Sequence, residues 1–225
     1  MIRKWTVRGL LLMAVMVVTL GCNPLAASLF LLNGTDSKTP AEYPLEAKDK
    51  RSEIKVLVLC HYPGNIPEEF IGVERMLAMQ FSNALQTFGA AEKMVIATVP
   101  ASKLEKYQND TPDWQTKHPT ELGRRFEADY VIDLHIKSMS LYEYGSRHLY
   151  RGRTLIGVEA YKVGEEVELD PGYTSEYTCE YPEGHTPDAS DMPPSKFRAA
   201  FLKRIATDLS WKFVPHTTSA RFHRD

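Results

Sequence analysis

The chain has 225 residues, of which 43% are apolar and 25% charged, an ordinary globular composition with room for a buried core in a single domain. Net charge is −2 and no basic stripe of the kind that neutralises phosphates is present, so nucleic acid is not expected as a partner. Three cysteines are too few for a disulfide scaffold.

The charge is unevenly spread. Arg3, Lys4 and Arg8 stand in the first 21 residues with no acid, which leaves the remainder at roughly −5. Leu10–Leu20 is then an almost wholly apolar run, LLLMAVMVVTL, and Gly21-Cys22 comes next. A charged start, a short greasy stretch and a small residue before a cut describe a secretory leader. Cysteine directly after the small residue resembles the lipobox of bacterial lipoproteins. The resemblance implies that the Cys22 thiol receives a diacylglycerol, that the leader is cut away behind Gly21, and that the new amino group is acylated, for instance with palmitate. Thr19-Leu20-Gly21 departs from the family order of Leu, a small residue, then Gly or Ala. Two other readings stay open. Leu10–Leu32 is nearly long enough to remain as an uncleaved membrane anchor, and a plain leader would be cut near Ala26-Ala27. All three export the downstream domain. Grafted fatty chains hold firmly, because each buried methylene contributes about 0.8 kcal/mol and one chain alone is marginal. In the enterobacterial sorting rule Asp after the cysteine retains a lipoprotein at the inner membrane, so Asn23 favours the outer membrane.

Residues 33–53, NGTDSKTPAEYPLEAKDKRSE, are polar, hold two prolines and show no period. They read as a solvated tether, with residues 22–53 as lipidated terminus and linker. Order is expected from Ile54. IKVLVLC (54–60) is nearly continuous in apolar residues, as in a strand buried on both faces. A Tyr62-Pro63-Gly64-Asn65 turn leads into a helix opened by Pro67 and two glutamates and closed by Gly89, with Phe70, Val73, Leu77, Phe81, Leu85 and Phe88 on one face. KMVIATV (93–99) predicts a second strand and 101–108 a short helix. Thr120 is placed to cap another helix through Ala128.

Two long strands with a period of two come next. Over 129–144, Tyr130, Ile132, Leu134 and Ile136 point one way and Asp133, His135 and Lys137 the other. After a Gly145-Ser146 turn, 149–163 alternates again, with Ile156, Val158 and Ala160 sharing a face. Residues 165–180 predict a further strand broken at Pro171-Gly172. Ser195 is placed to cap a last amphipathic helix through Val214, and 215–225 reads as a loose tail. The order is β-α-β-α-α-β-β-β-α over a single unit at 54–214. That predicts an α/β (α+β) class, a mixed sheet of about five strands with helices packed against it.

With the lipobox and tether ahead of it, the segment LGRRFEADYVIDLHI (122–136), joined to YEYGSRHLYRGRTLIGVEAYKV (142–163), carries a further resemblance. It is similar to envelope lipoproteins that share the fold of the curli secretion lipoprotein, of the penicillin-binding-protein activator lipoprotein B and of the TolB amino-terminal domain. The likeness would cover 54–214. It implies a binding or scaffolding module in the envelope rather than a catalyst, and another envelope protein as partner. Paired amphipathic strands long enough for a curli-type pore are not evident, so a pore is not implied.

Candidate chemistry is sparse. Cys60-His61 ends the first strand, where α/β proteins often place reactive groups, and a thiolate beside an imidazole is a nucleophile. Neighbours on a strand point to opposite faces, however, and a buried strand cysteine is the simpler account. Cys60 and Cys179 are candidates for a disulfide after export or for two free thiols. Asp133 and His135 share a strand face, which makes half of an acid–base pair or a solvated sheet surface. The seven histidines show no metal-ligand spacing, and no phosphate loop is present, so neither metal nor cofactor is expected. Tyrosines cluster late in the chain. Tyr142, Tyr144, Arg147, Tyr150, Arg151 and Arg153 form the candidate partner-binding hairpin, with cross-strand stiffening as the competing role. The reading is a membrane-tethered envelope lipoprotein facing the periplasm and working as a protein-binding or scaffolding module. Its alternatives are an exported hydrolase using Cys60/His61 or Asp133/His135, or a binder of soluble ligands.

Overall fold

A computed structural model of the chain describes residues 37–47, 53–64, 66–164 and 169–218. The leader, Cys22 and the last seven residues lie outside these, so the structure says nothing of them. The chain divides into two compact units, and Lys38–Thr217 belongs to the larger one, which is the one described.

Two three-residue strands, β1 (Ser37–Thr39) and β7 (His216–Thr218), pair with each other. The frame of the unit is a separate five-stranded mixed sheet. β2 (Ile54–His61), β3 (Ile96–Thr98), β4 (Tyr130–Tyr142), β5 (Tyr150–Lys162) and β6 (Tyr173–Tyr181) lie in the order β3-β2-β4-β5-β6. β2 runs parallel to both β3 and β4, while β4, β5 and β6 are antiparallel. Among the described residues four α-helices pack with this sheet: α1 (Val73–Ala91), α2 (Ala101–Asp110), α3 (Pro119–Arg125) and α4 (Pro194–Ser210). The mixed α/β class and the strand and helix order agree with the sequence.

The period of two decides which side each helix covers. Val56, Val58, Ile132, Leu134, Ile156 and Val158 pack with α1 and α4 in the larger core. Leu57, Leu59, Val131 and Tyr161, on the reverse face, pack with Leu122 and Phe126 at α3 and with Leu104 of α2. β2, buried on both sides, is therefore the apolar run that the sequence contains. Gly123 lets α3 approach the sheet closely: a Cβ there would stand 2.5 Å from Val163 Cγ2 and 2.6 Å from Val131 Cγ2.

Several boundaries differ from expectation. α3 is capped not by Thr120 but by His118, whose Nδ1 accepts from the Thr120 N–H, and it ends at Arg125. α4 begins at Pro194, after Pro193, without a side-chain cap, so Ser195 lies within the first turn. A proline there has the fixed φ of a helix and lacks the N–H that would go unpaired, so it starts the helix unaided. β3 is shorter than 93–99 because α1 continues to Ala91 and a turn comes after it.

The tether reading also needs correction over 38–47. Leu45 is 3% exposed and belongs to the larger core. The Tyr43 N–H donates to the Lys212 carbonyl and the Leu45 N–H to that of Phe213, so this segment is strapped along the end of α4. The Tyr43 ring stacks on Tyr173, with centroids 5.5 Å apart. A segment with two apolar anchors and paired backbone is not a solvated linker.

A crevice at the ends of the parallel strands

The chain leaves β2 for α1 on one face of the sheet and leaves β3 for α2 on the other. Neighbouring parallel strands whose connections part to opposite faces open a crevice at their carboxyl ends, the place where open α/β sheets receive ligands. Two adjoining hollows lie there, of about 370 and 510 Å3. They share His61, Glu74, Trp114 and Gln115 as a common wall.

Three polar side chains meet in the second hollow. His61 ends β2 and pairs in register with His135 of β4, while Leu59 pairs with Asp133. All three of His61, Asp133 and His135 therefore fall on one sheet face, beyond the rim of the smaller core. Asp133 is only 4% exposed. His135 Nε2 lies 3.3 Å from its Oδ2 and His61 Nε2 3.1 Å from its Oδ1. The His61 contact is close but lacks hydrogen-bond geometry, which leaves Oδ1 a buried acceptor short of a donor. The two imidazoles stack at 5.5 Å, and Trp114 stacks on the other side of His61 at 5.7 Å. The result is a ladder of three roughly parallel rings above one carboxylate. Among the described residues no group of three or more His, Cys, Asp or Glu side chains is arranged to hold a metal ion.

The electrostatics derive from this geometry. Burial pushes the Asp133 carboxyl up, and the hydrogen bond from His135 and the proximity of His61 more than offset it, holding it at about 2 against an ordinary 3.8. The same carboxylate raises the His135 imidazole, against the opposing effect of partial burial. From the sequence, Asp133 and His135 are half of an acid–base pair or a solvated surface. The structure buries the carboxylate and leaves both imidazoles half-buried.

Cys60 faces the other way. Its side chain packs against the larger core while His61 turns to the opposite face, so the adjacent pair does not meet. Burial, with the Glu74 and Asp133 carboxylates nearby, pushes its thiol well above the ordinary value. A thiol so placed is the reverse of an activated nucleophile. Cys60 and Cys179 are both free thiols, so the disulfide alternative falls.

The sequence matches no protein-family model and no curated protein. Solved structures do resemble it. The PelC dodecamer from Paraburkholderia phytofirmans is 13% identical with a TM-score of 0.40, covering 80% of this chain and 98% of that one. The hypothetical protein CT253 from Chlamydia trachomatis is 13% identical with a TM-score of 0.44, covering 71% and 96%. Lipoprotein GNA1162 from Neisseria meningitidis is 12% identical with a TM-score of 0.38, covering 70% and 98%. Bacterial lipoproteins are thus among the similar structures. Likeness at this level carries no argument about what this chain does, and it does not show the curli and TolB group in particular.

The tyrosine and arginine hairpin is divided rather than gathered. Tyr150 is 0% exposed, stacks on Phe197 at 4.6 Å and donates its hydroxyl to the Met192 carbonyl at 3.1 Å. Tyr142 lies half-buried against it. Tyr144 is 94% exposed at the turn, near the exposed Arg147. Arg151 and Arg153 both pair with Glu143 and Glu180, so each guanidinium is neutralised within the sheet. Tyr150 is therefore a core residue, and the arginines form cross-strand pairs. His61 and Trp114 acquire their roles only in space: nothing local in the sequence brings residues 61, 114 and 133 together.

Proposed function

We propose that the chain is a lipid-anchored protein of the bacterial envelope whose α/β unit works by binding rather than by covalent catalysis. The crevice carries this reading. His61, Asp133 and His135 converge beside Trp114 at the carboxyl ends of the parallel strands, and the thiol next in sequence points into the opposite core. Polar groups converging at one edge of a hollow with an aromatic wall are the usual furniture of a binding site. The charged start, the apolar run and Gly21-Cys22 support the address. Among the described residues no helix is long and apolar enough to cross a membrane, and attachment is assigned to Cys22 on the sequence alone. The unit faces the periplasm, with the outer membrane favoured by Asn23. Another envelope protein is the proposed macromolecular partner, and the exposed hairpin tip at Tyr144 and Arg147 is the part of the tyrosine cluster left free to meet it.

Metabolic labelling with an alkynyl palmitate tests the anchor. The wild-type chain takes up label and sediments with membranes, and Cys22→Ala does neither. An unlabelled wild type overturns the anchor.

A second reading, an exported hydrolase, is favoured by one contact. Asp133 holds His135 through Nε2, and an imidazole so held presents Nδ1 as a general base for water. Chromogenic ester, phosphate and glycoside substrates separate the readings: turnover by the wild type that disappears in His135→Asn supports the hydrolase.

A further inference from the structure

The crevice carries a more specific inference, which rests on its reading as a binding surface and not on the lipid anchor. Both imidazoles turn Nε2 toward Asp133. Among the described residues neither His61 Nδ1 nor His135 Nδ1 has a hydrogen-bond partner, and both rings line the larger hollow. The stacked rings have centroids 5.5 Å apart, close enough for one small tetrahedral anion to bridge them.

The surrounding charges leave that pair available. Asp133 is engaged by the two imidazoles. Glu74, on the wall, accepts the Tyr62 N–H at 2.7 Å. Glu159, 3.9 Å from His135 Nε2, accepts the Tyr161 hydroxyl at 2.6 Å. Lys137 is tied to Glu176 at 2.6 Å, and Arg75 at the neighbouring hollow to Glu105 at 2.8 Å. Lys117 also lines the hollow and holds Asp113 only at 3.8 Å. Glu74 and Glu159 thus already have donors and Asp133 sits against the two Nε2 atoms, while the two Nδ1 atoms and Lys117 remain.

We propose that His61 and His135, with Lys117 at the rim, form a proton-dependent site for a small tetrahedral oxyanion, a phosphate group either free or carried as a monoester. Protonation decides the sign of the interaction. A neutral imidazole that keeps its proton on Nε2 for Asp133 presents a lone pair at Nδ1 and repels an oxyanion. A protonated one presents an Nδ1–H donor and a positive charge while still holding Asp133. The Asp133 carboxylate favours the protonated form of His135, so one buried group serves both as its structural partner and as the reason that ring charges.

Calorimetric titration of the full-length chain in a non-ionic detergent with sulfate is the test, because sulfate keeps its charge between pH 5.5 and pH 8. Sulfate binds about tenfold more tightly at pH 5.5 than at pH 8. His61→Gln and His135→Asn each lose about tenfold at pH 5.5. Lys117→Gln, on a side chain outside both cores, loses about threefold and keeps the wild-type near-ultraviolet circular dichroism. Inorganic phosphate and glycerol 3-phosphate then distinguish the free anion from the monoester. Absence of sulfate binding at pH 5.5, or binding indifferent to both His135→Asn and Lys117→Gln, overturns the oxyanion site. Failure here leaves the palmitate result untouched, whereas turnover of the chromogenic substrates overturns the binding reading itself.

Discussion

His61 and His135 are register partners on neighbouring parallel strands, and both direct Nε2 to the single buried carboxylate of Asp133. Parallel pairing is what makes this arrangement available. It sets the last residue of β2 beside the middle of β4, where the smaller core ends and the crevice begins.

The arrangement makes stability depend on pH in two opposed ways. Asp133 stands at about 2 when folded against an ordinary 3.8, so its contribution is present above pH 4 and is lost as pH falls toward 2. That difference corresponds to about 2 kcal/mol. His135 is raised when folded, so its contribution is complete below its ordinary 6.5 and fades as pH rises through the higher folded value. Asp133 and His135 together therefore contribute most between about pH 4 and 6.5. Thermal unfolding across pH 2–8 shows the wild type losing stability at both ends of that window. Asp133→Asn is less stable inside it, with a flatter profile. An unchanged profile in the variant contradicts this account of the carboxylate.

Tyr150 and Tyr144, six residues apart on one hairpin, should respond in opposite ways. Tyr150→Ala removes a fully buried ring stacked on Phe197 and destabilises by about 3–5 kcal/mol, while Tyr150→Phe loses only the bond to Met192, about 1 kcal/mol. Tyr144→Ala stays within about 0.5 kcal/mol of the wild type because its ring is in solvent. Urea unfolding of the three variants reads the difference.

Leu45 tests whether the ordered unit begins before β2. Leu45→Ala destabilises by about 2–5 kcal/mol if the strap over 38–47 is part of the core. Glu46→Ala, on the exposed side of the same segment, changes little. Indifference to Leu45→Ala would return the segment to the tether.

Much of the fold was legible. Alternation over β4 and β5, the helical spacing of α1 and the turn signals between them gave class and order, because long regular elements announce themselves through period. Tyr150 was legible too, by parity: it lies on the face of Ile156, Val158 and Ala160, and β5 runs against β6 without a register shift. Its burial was obscured by the habit of reading tyrosine clusters as surfaces. Leu45 gave no signal, since one apolar residue in a polar run has no period. The crevice gave none either. His61, Trp114 and Asp133 come from three separate segments, and only the crossover connection and parallel register assemble them. The anchor rests on residues outside the described structure, so there the sequence alone speaks.

The central claim is that both imidazoles face Asp133 with Nε2 and leave Nδ1 without a partner among the described residues. Long-range 1H–15N correlation of the histidine side chains across a pH titration measures this directly. The account predicts that neutral His61 and His135 carry their proton on Nε2, that His135 titrates above the ordinary 6.5, and that Asp133→Asn moves His135 back toward it. An Nδ1-protonated tautomer at either residue, or a His135 midpoint that ignores Asp133→Asn, would contradict it.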